Sequence, residues 1–507
     1  MTPRASMLID PAAVIAPVNR RTFGSFVEHM GRCVYTGIFE PGHPAADEHG
    51  LRSDVLGLAR ELGVTIVRYP GGNFVSGYRW EDGVGPVEER PTRLDTAWRS
   101  IEPNTFGLDE FATWAGKAGV EVMLALNLGT RGIQEALDLL EYANHPAGTA
   151  LSDLRRRHGR SEPYRIRTWC LGNEMDGPWQ LGHKTADEYG RLAAETARAM
   201  RMIDPELELV ACGSSGAGMP TFGTWEETVL EHAFDQVDLI SAHAYYEETD
   251  ADLGSFLASA VDMDRFITTV TSIADQVAAR RGSGKRLGIS FDEWNVWYLT
   301  RHQAQDPPTG WRQAPRLSED AYTVTDAVVV GSLLATLLRH NDRVGVACQA
   351  QLVNSIGAIR TEPGGPAWRQ AIFHPFSLTA AHARGEVLAA TPAGPRYDTM
   401  RFGEVPVVDA VATHDAGEGA LAVFTVNRSA TETVELAVDL AALPGYEVVE
   451  HLVLAGDDRH AANTEQEPDR VVPRAAGWTA EDTTVRIALP PISWSMLRAA
   501  DARRVGR

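Results

Sequence analysis

Eight short apolar runs rich in β-branched residues alternate with helical patterns along the chain up to about residue 385. The runs fall at 22–28, 65–69, 121–127, 167–172, 208–213, 237–243, 287–293 and 344–351. Between them, apolar residues recur at helical spacing over 51–62, 108–118, 132–143, 185–203, 223–234, 252–281 and 320–340, with a further helix expected around 366–384. Ser53, Thr185 and Ser318 each stand shortly before an acidic residue and read as helix caps. Strands that run as continuous apolar segments are buried on both faces, as in parallel sheets covered by helices. Eight of them in alternation with helices predict a closed (β/α)8 TIM barrel rather than an open sheet.

The texture changes beyond residue 385. The segment 386–398 is rich in Ala and Pro and reads as a linker. Short strand-like runs follow at 405–413, 420–427, 432–440, 446–454 and 483–498, the pattern of a β-sandwich. A chain of 507 residues has room for both units. The expected organisation is a barrel over 15–385, a sandwich over 386–500 and a basic tail over 501–507.

The net charge of −21 makes nucleic acid and anionic membrane poor partners, and is compatible with a neutral substrate such as a sugar. Cys33, Cys170, Cys212 and Cys348 are widely spaced, and three of them sit in strand-like runs. They read as buried hydrophobes in a reducing compartment. The first residues carry no sufficient apolar core for a signal peptide, so cytoplasmic residence is the expectation. The run at 155–160 (RRRHGR) reads as a solvated loop, and 213–218 (GSSGAG) as a turn after the fifth strand.

A TIM barrel keeps its chemistry at the C-terminal ends of its strands. Here those ends carry Glu28, then Arg68 followed by Asn73, then Asn127, Asn173 and Glu174, then His243 and Tyr245. Asp292 and Glu293 end the seventh run, with Trp294, Asn295 and Trp297 beyond, and Gln351 ends the eighth. So polar a ring on otherwise apolar strands points to an active site. Glu174 and Glu293 stand out, because two carboxyls about 5 Å apart cleave a glycosidic bond by double displacement. They belong to the fourth and seventh strands, which are expected to face each other across the mouth. Which is acid and which nucleophile is open from spacing alone. Trp98, Trp179, Trp294, Trp297, Tyr245, Tyr246 and Tyr298 fall in loops or at strand ends, where exposed rings suit stacking on sugar faces. Trp294 and Tyr246 are the candidates among them for core packing. There is no H-E-x-x-H, no H-x-H pair and no G-x-S-x-G elbow.

The stretches RYPGGNFVSGYRWEDGVGP (68–86), WCLGNEMDGPWQLGHK (169–184) and SFDEWNVWY (290–298) closely resemble the α-L-arabinofuranosidases of glycoside hydrolase family 51. Flanking stretches at 24–44, 127–133 and 350–354 are similar too, and the likeness runs over nearly the whole chain. The resemblance implies a barrel plus a jelly-roll β-sandwich that an N-terminal segment (1–14) joins. It implies Glu174 as acid/base and Glu293 as nucleophile. It places sugar-binding residues at Glu28, Asn73, Asn173, Tyr245 and Gln351, with Arg68, Trp98, His243 and Trp297 around them. It implies no metal and no organic cofactor, and a homo-oligomer, commonly a hexamer. The activity implied is release of terminal, non-reducing arabinofuranosyl residues from arabinan- or arabinoxylan-derived oligosaccharides, with retention. Alternatives are a β-xylosidase or endo-β-1,4-glucanase on the same scaffold, or a non-catalytic carbohydrate-binding protein. The presence of both glutamates argues against the last.

Overall fold

The computed structural model describes residues 2–304 and 310–504. Eight parallel strands close into a barrel: β1 (Gly24–Phe26), β2 (Ile66–Tyr69), β3 (Glu121–Ala125), β4 (Thr168–Leu171), β5 (Glu208–Ala211), β6 (Leu239–Tyr246), β7 (Gly288–Val296) and β8 (Val344–Ala350). Each coincides with one of the eight apolar runs. They pair in chain order around the ring, with β8 closing on β1. In β4 and β7 nearly every residue is buried, because side chains on one face fill the barrel and those on the other meet the helices.

The helices depart from expectation at their ends. Thr185 caps Ala186–Ile203 in a capping box with Glu188, as its sequence implies. Ser53 and Ser318 cap nothing. Ser53 is already inside its helix, behind Arg52, and Thr323 caps Val324–Arg339. The pattern at 252–281 is two helices, Leu253–Leu257 and Ser259–Arg280, and the last helix is confined to Phe373–His382. The RRRHGR run is not a solvated loop. It ends the helix Ala150–Arg157, and the buried Arg155 guanidinium donates to the carbonyls of Tyr142, His145 and Pro146. A cation that satisfies several orphan carbonyls is buried at less cost than an unpaired one.

The C-terminal strands form two sheets. The larger has the order Val14–Pro17, Glu386–Leu388, Val408–Asp415, Ala420–Asn427, Ser493–Asp501, Tyr446–Leu454 and Arg474–Ala475. The smaller runs Arg4–Leu8, Val434–Asp439, Thr484–Leu489 and Trp478–Glu481. So the N-terminal segment, of which Met1 lies outside the described residues, adds a strand to each sheet. The stretch at 386–398 is no linker. It begins with a strand hydrogen-bonded on both sides and ends in the hairpin Arg396–Thr399/Gly403–Pro406. Prolines 490 and 491 divide the run at 483–498 into two strands, since proline cannot donate to a ladder. Asp501 still belongs to the last strand, and residues 505–507 of the expected tail lie outside the described residues.

The larger sheet is buried on both faces. Along Ala420–Asn427, Ala422, Phe424 and Val426 pack into the barrel-side core, while Leu421 and Val423 pack between the two sheets. Helix Val324–Arg339 is the joint, buried along almost its entire length. Trp494 lies against Gly331, where an added Cβ would stand 2.1 Å from the indole. Beside it, Asp409 accepts from Arg339, Arg428 and Ser332 at 2.9, 2.6 and 2.8 Å. Gly331→Leu is therefore expected to overpack the joint and lower stability by about 1–3 kcal/mol. Calorimetry checks this; an unchanged melting profile would show that the contact is dispensable.

Candidate active site

The polar strand ends converge at the C-terminal mouth of the barrel. Arg68, the third residue of β2, is buried at the centre. Its Nη1 donates to Glu293 Oε1 at 2.6 Å and its Nη2 to Asn173 Oδ1 at 2.7 Å, while its Nε lies 3.7 Å from Asp292. Glu293 Oε2 accepts from the Tyr245 hydroxyl at 2.7 Å. His243 joins three carboxyls: its Nδ1 is 2.9 Å from Glu174 and 3.7 Å from Glu293, and its Nε2 is 2.9 Å from Asp292. The second oxygen of Glu174 accepts from Trp179 Nε1 at 2.7 Å.

A second group lies beside the first. Glu28 Oε1 accepts from the Phe74 amide at 2.9 Å and from Trp98 Nε1 at 2.8 Å, and Gln351 Nε2 donates to Glu28 Oε2 at 3.2 Å. The PGGN turn after β2 has a steric reason. A Cβ on Gly72 would stand 2.4 Å from Glu28 Oε2, so the chain passes this carboxyl only as glycine. Asn73 follows, and its Oδ1 is 3.5 Å from Asn173 Nδ2. Trp297 packs edge-on to Tyr245 at 5.0 Å, with its indole donating to Ser318.

Asn73, Trp98, Glu174, His243, Tyr245 and Trp297 line one cavity of about 720 Å³. Glu28, Arg68, Asn173, Glu293 and Gln351 stand behind them, linked through the hydrogen bonds above. All the residues to which the family resemblance assigns a site role thus come together. Asn127, also at a strand end, does not join them; it binds the Tyr78 carbonyl and the Thr130 hydroxyl. Trp294 is wholly buried in the core, whereas Tyr246 is buried and still borders the cavity. The fourth and seventh strands do not face each other directly. Two strands separate β4 from β7, and His243 on one of them, β6, bridges the glutamates.

Asp292 was read from the sequence only as a strand-end residue, with no role of its own. Strict alternation along β7 turns Asp292 away from whatever Glu293 faces. The pairing shows why it does not: Ser241 is opposite Ser290 but His243 is opposite Glu293, so β7 carries an extra residue. This bulge brings both consecutive carboxylates onto His243. Gln180 was not picked out by sequence; its Oε1 is 3.4 Å from Asn173 Nδ2.

Burial acts on every charge here. Burial alone lowers the His243 pKa, but the charge of Glu293 and hydrogen bonds to Asp292 and Glu174 overcome it and raise it to about 10. Burial likewise pushes Asp292 up, yet Arg68 and His243 hold it below the usual carboxylate range. Burial raises Glu293, with His243, Arg68 and the Tyr245 hydroxyl opposing and the Glu174 charge adding to the rise. Burial pushes Glu28 up to about 8. Donor atoms of Glu174, His243 and Glu293 all lie within 4.8 Å of one another, a spacing also seen around metal ions. But an imidazolium with a carboxylate at each nitrogen has no free lone pair to offer a cation.

A TIM barrel with two carboxyls this close at its mouth, backed by amide, guanidinium and aromatic groups, defines a glycoside hydrolase. Residues 58–266 match the family described as the α-L-arabinofuranosidase 1 domain, and residues 292–493 match the α-L-arabinofuranosidase C-terminal domain. An intracellular exo-α-(1→5)-L-arabinofuranosidase of Streptomyces lividans is 61% identical over 98% of this chain and 75% of its own length. An exo-α-(1→6)-L-arabinofuranosidase of Bifidobacterium longum is 55% identical over 96% of each chain. The solved structure of a family 51 α-L-arabinofuranosidase from Bifidobacterium longum superposes with a TM-score of 0.95 at 49% identity, covering 98% of this chain and 100% of that one. The chain belongs to the α-L-arabinofuranosidases of glycoside hydrolase family 51.

Removing Arg68 leaves Asp292 buried without its main counter-charge and Glu293 with that of His243 alone. Arg68→Met is expected to cost about 3–5 kcal/mol of stability and to raise the Glu293 pKa further. Denaturant unfolding and the pH profile of kcat/KM measure the two effects. Arg68→Lys keeps the charge but loses the two-pronged geometry, and full activity in that variant would show the fork to be unnecessary.

Proposed function

We propose that this protein is an exo-acting, retaining α-L-arabinofuranosidase that releases terminal, non-reducing arabinofuranosyl residues from arabinan- or arabinoxylan-derived oligosaccharides. The observation that carries this reading is the approach of Glu174 and Glu293, with oxygens within 4.8 Å of each other. Retaining enzymes hold their carboxyl groups about 5–5.5 Å apart, and inverting enzymes need a wider gap to admit water. In the first step a Glu293 oxygen attacks the anomeric carbon, and the departing glycosidic oxygen takes the proton of Glu174. In the second, water attacks the glycosyl ester, Glu174 takes a proton from it, and the bond to Glu293 breaks. Esterification removes the Glu293 charge, which lets Glu174 ionise for its second role.

Arg68 and Tyr245 orient Glu293. Asn173 is positioned to hold the sugar 2-OH, where a hydrogen bond strengthens in the oxocarbenium-like transition state. Glu28, Asn73 and Gln351 are assigned to the remaining hydroxyls, and Trp98 and Trp297 to the walls. In this reading residues 15–385 are the catalytic unit and the sandwich packs against it. Both relatives' names support an exo-acting arabinofuranosidase, that of the Streptomyces lividans relative supports an intracellular one, and the cytoplasm is the proposed compartment. A homo-oligomer, by family resemblance a hexamer, is the proposed assembly.

Comparison of 4-nitrophenyl α-L-arabinofuranoside with the β-D-xylopyranoside and the β-cellobioside tests the glycone. No preference for the first would sink the assignment. Glu293→Ala is expected to abolish turnover of all three. Glu174→Ala is expected to spare glycosylation by the activated nitrophenyl substrate, slow deglycosylation and respond to azide; no azide response overturns the acid/base role. A product of inverted configuration by NMR overturns double displacement. Because Glu293 must be ionised and burial raises its pKa, the acid limb of kcat/KM is expected above the ordinary glutamate value of about 4.3. A limb at or below that value contradicts Glu293 as its origin.

A further inference from the structure

The cavity is not built by the barrel alone. The hairpin Arg396–Thr399/Gly403–Pro406 reaches back from the C-terminal region, and Arg401 in its turn lines the cavity that Glu174 also lines. The turn is anchored on the barrel helices. The Tyr397 hydroxyl donates to the Gly254 carbonyl at 2.9 Å, the Arg401 amide to Ser255 Oγ at 3.1 Å, and Arg265 Nη2 to the Phe402 carbonyl at 3.2 Å. The Phe402 ring has the guanidinium of Arg265 at 5.9 Å and that of Arg401 at 5.5 Å. Arg401 itself is exposed and, among the described residues, its guanidinium makes no ion pair or hydrogen bond within the chain.

We infer that Arg401 is a specificity-determining residue that binds the leaving-group portion of an oligosaccharide, so that the C-terminal module takes part in substrate choice. The inference rests on the glycosidase reading above. The cavity's volume of about 720 Å³ lies in the range that encloses a drug-sized ligand, which is more than one pentose occupies. The glycone end is crowded by Trp98 and Asn73. The room left over extends past Tyr246, Glu247 and Asp262 to Arg401. Its chemistry selects a neutral sugar. Arg401 is accompanied by two carboxyls, Glu247 and Asp262, which disfavour a uronate, whereas donors and acceptors side by side suit hydroxyl groups. A guanidinium anchored only through its backbone and a ring stack keeps its donors for a ligand.

The test compares two substrates on each variant: linear arabinotriose, which reaches beyond the cleaved bond, and 4-nitrophenyl α-L-arabinofuranoside, which has no second sugar. For Arg401→Ala, kcat/KM on arabinotriose is expected to fall about 10-fold more than on the nitrophenyl glycoside, the loss of one charged hydrogen bond. The loss should appear in KM, and Arg401→Lys should recover part of it. Met400→Ala, next to it on the same turn and 80% exposed without lining the cavity, should not change the ratio. Equal losses on both substrates, or none on either, overturn the inference. A wild-type protein inactive on the nitrophenyl glycoside overturns the glycosidase reading instead.

Discussion

One buried guanidinium holds the site together. Arg68 leaves β2 inside the mouth and reaches Asn173 beyond β4 and Glu293 on β7, so it ties three strand ends into one geometry. A buried charge is tolerated only when paired and hydrogen-bonded, and the pairing here extends outwards through His243. The cluster of Arg68, His243, Asp292, Glu293 and Glu174 counts three carboxyls against two cations. A single proton neutralises it. A double displacement asks for the same ionisation state, one carboxylate to attack and one acid to protonate. Arg68 Nε, 3.7 Å from Asp292, makes no hydrogen bond, so the hold on Asp292 on that side is by charge alone.

Strand geometry decides which side chains can join such a cluster. Parallel strands in register present alternate residues to the barrel interior, and consecutive ones only where the register slips. The slip in β7 therefore does chemical work. It gives His243 a carboxylate at each nitrogen, which favours the charged ring. An imidazolium so placed stabilises both carboxylates while keeping them apart.

The sequence disclosed whatever depends on long runs and hid whatever depends on single contacts. All eight barrel strands were legible because burial on both faces demands unbroken apolar segments. The site residues were legible because polar side chains at the ends of such strands have few other reasons to be there. Asp292 was not, since its orientation follows from one extra residue in a ladder. Ser53 and Ser318 misled because a capping signal is short and Arg52 and Thr323 hold the positions it names. The arginine run at 155–160 misled because the burial of Arg155 depends on carbonyls at and just past the end of the preceding helix. The stretch at 386–398 has the composition of a linker, yet one of its two partner strands, Val14–Pro17, lies near the other end of the chain. No local pattern announces such pairing.

Arg401 is also far in sequence from the glutamates, and packing removes that distance. The sheet that carries the hairpin cannot drift, because its barrel-side face shares the core of helix Val324–Arg339 and Asp409 binds two arginines, one from each side of the joint. Asp409 is fully ionised by that environment: burial raises its pKa, but Arg339 and Arg428 more than offset the rise. A rigid joint is what allows a residue on one module to act in the cavity of the other, since hydrogen bonds to a ligand tolerate little misplacement. The sandwich then has a reason to be fused to this barrel beyond adding core: it carries the hairpin whose Arg401 borders the cavity.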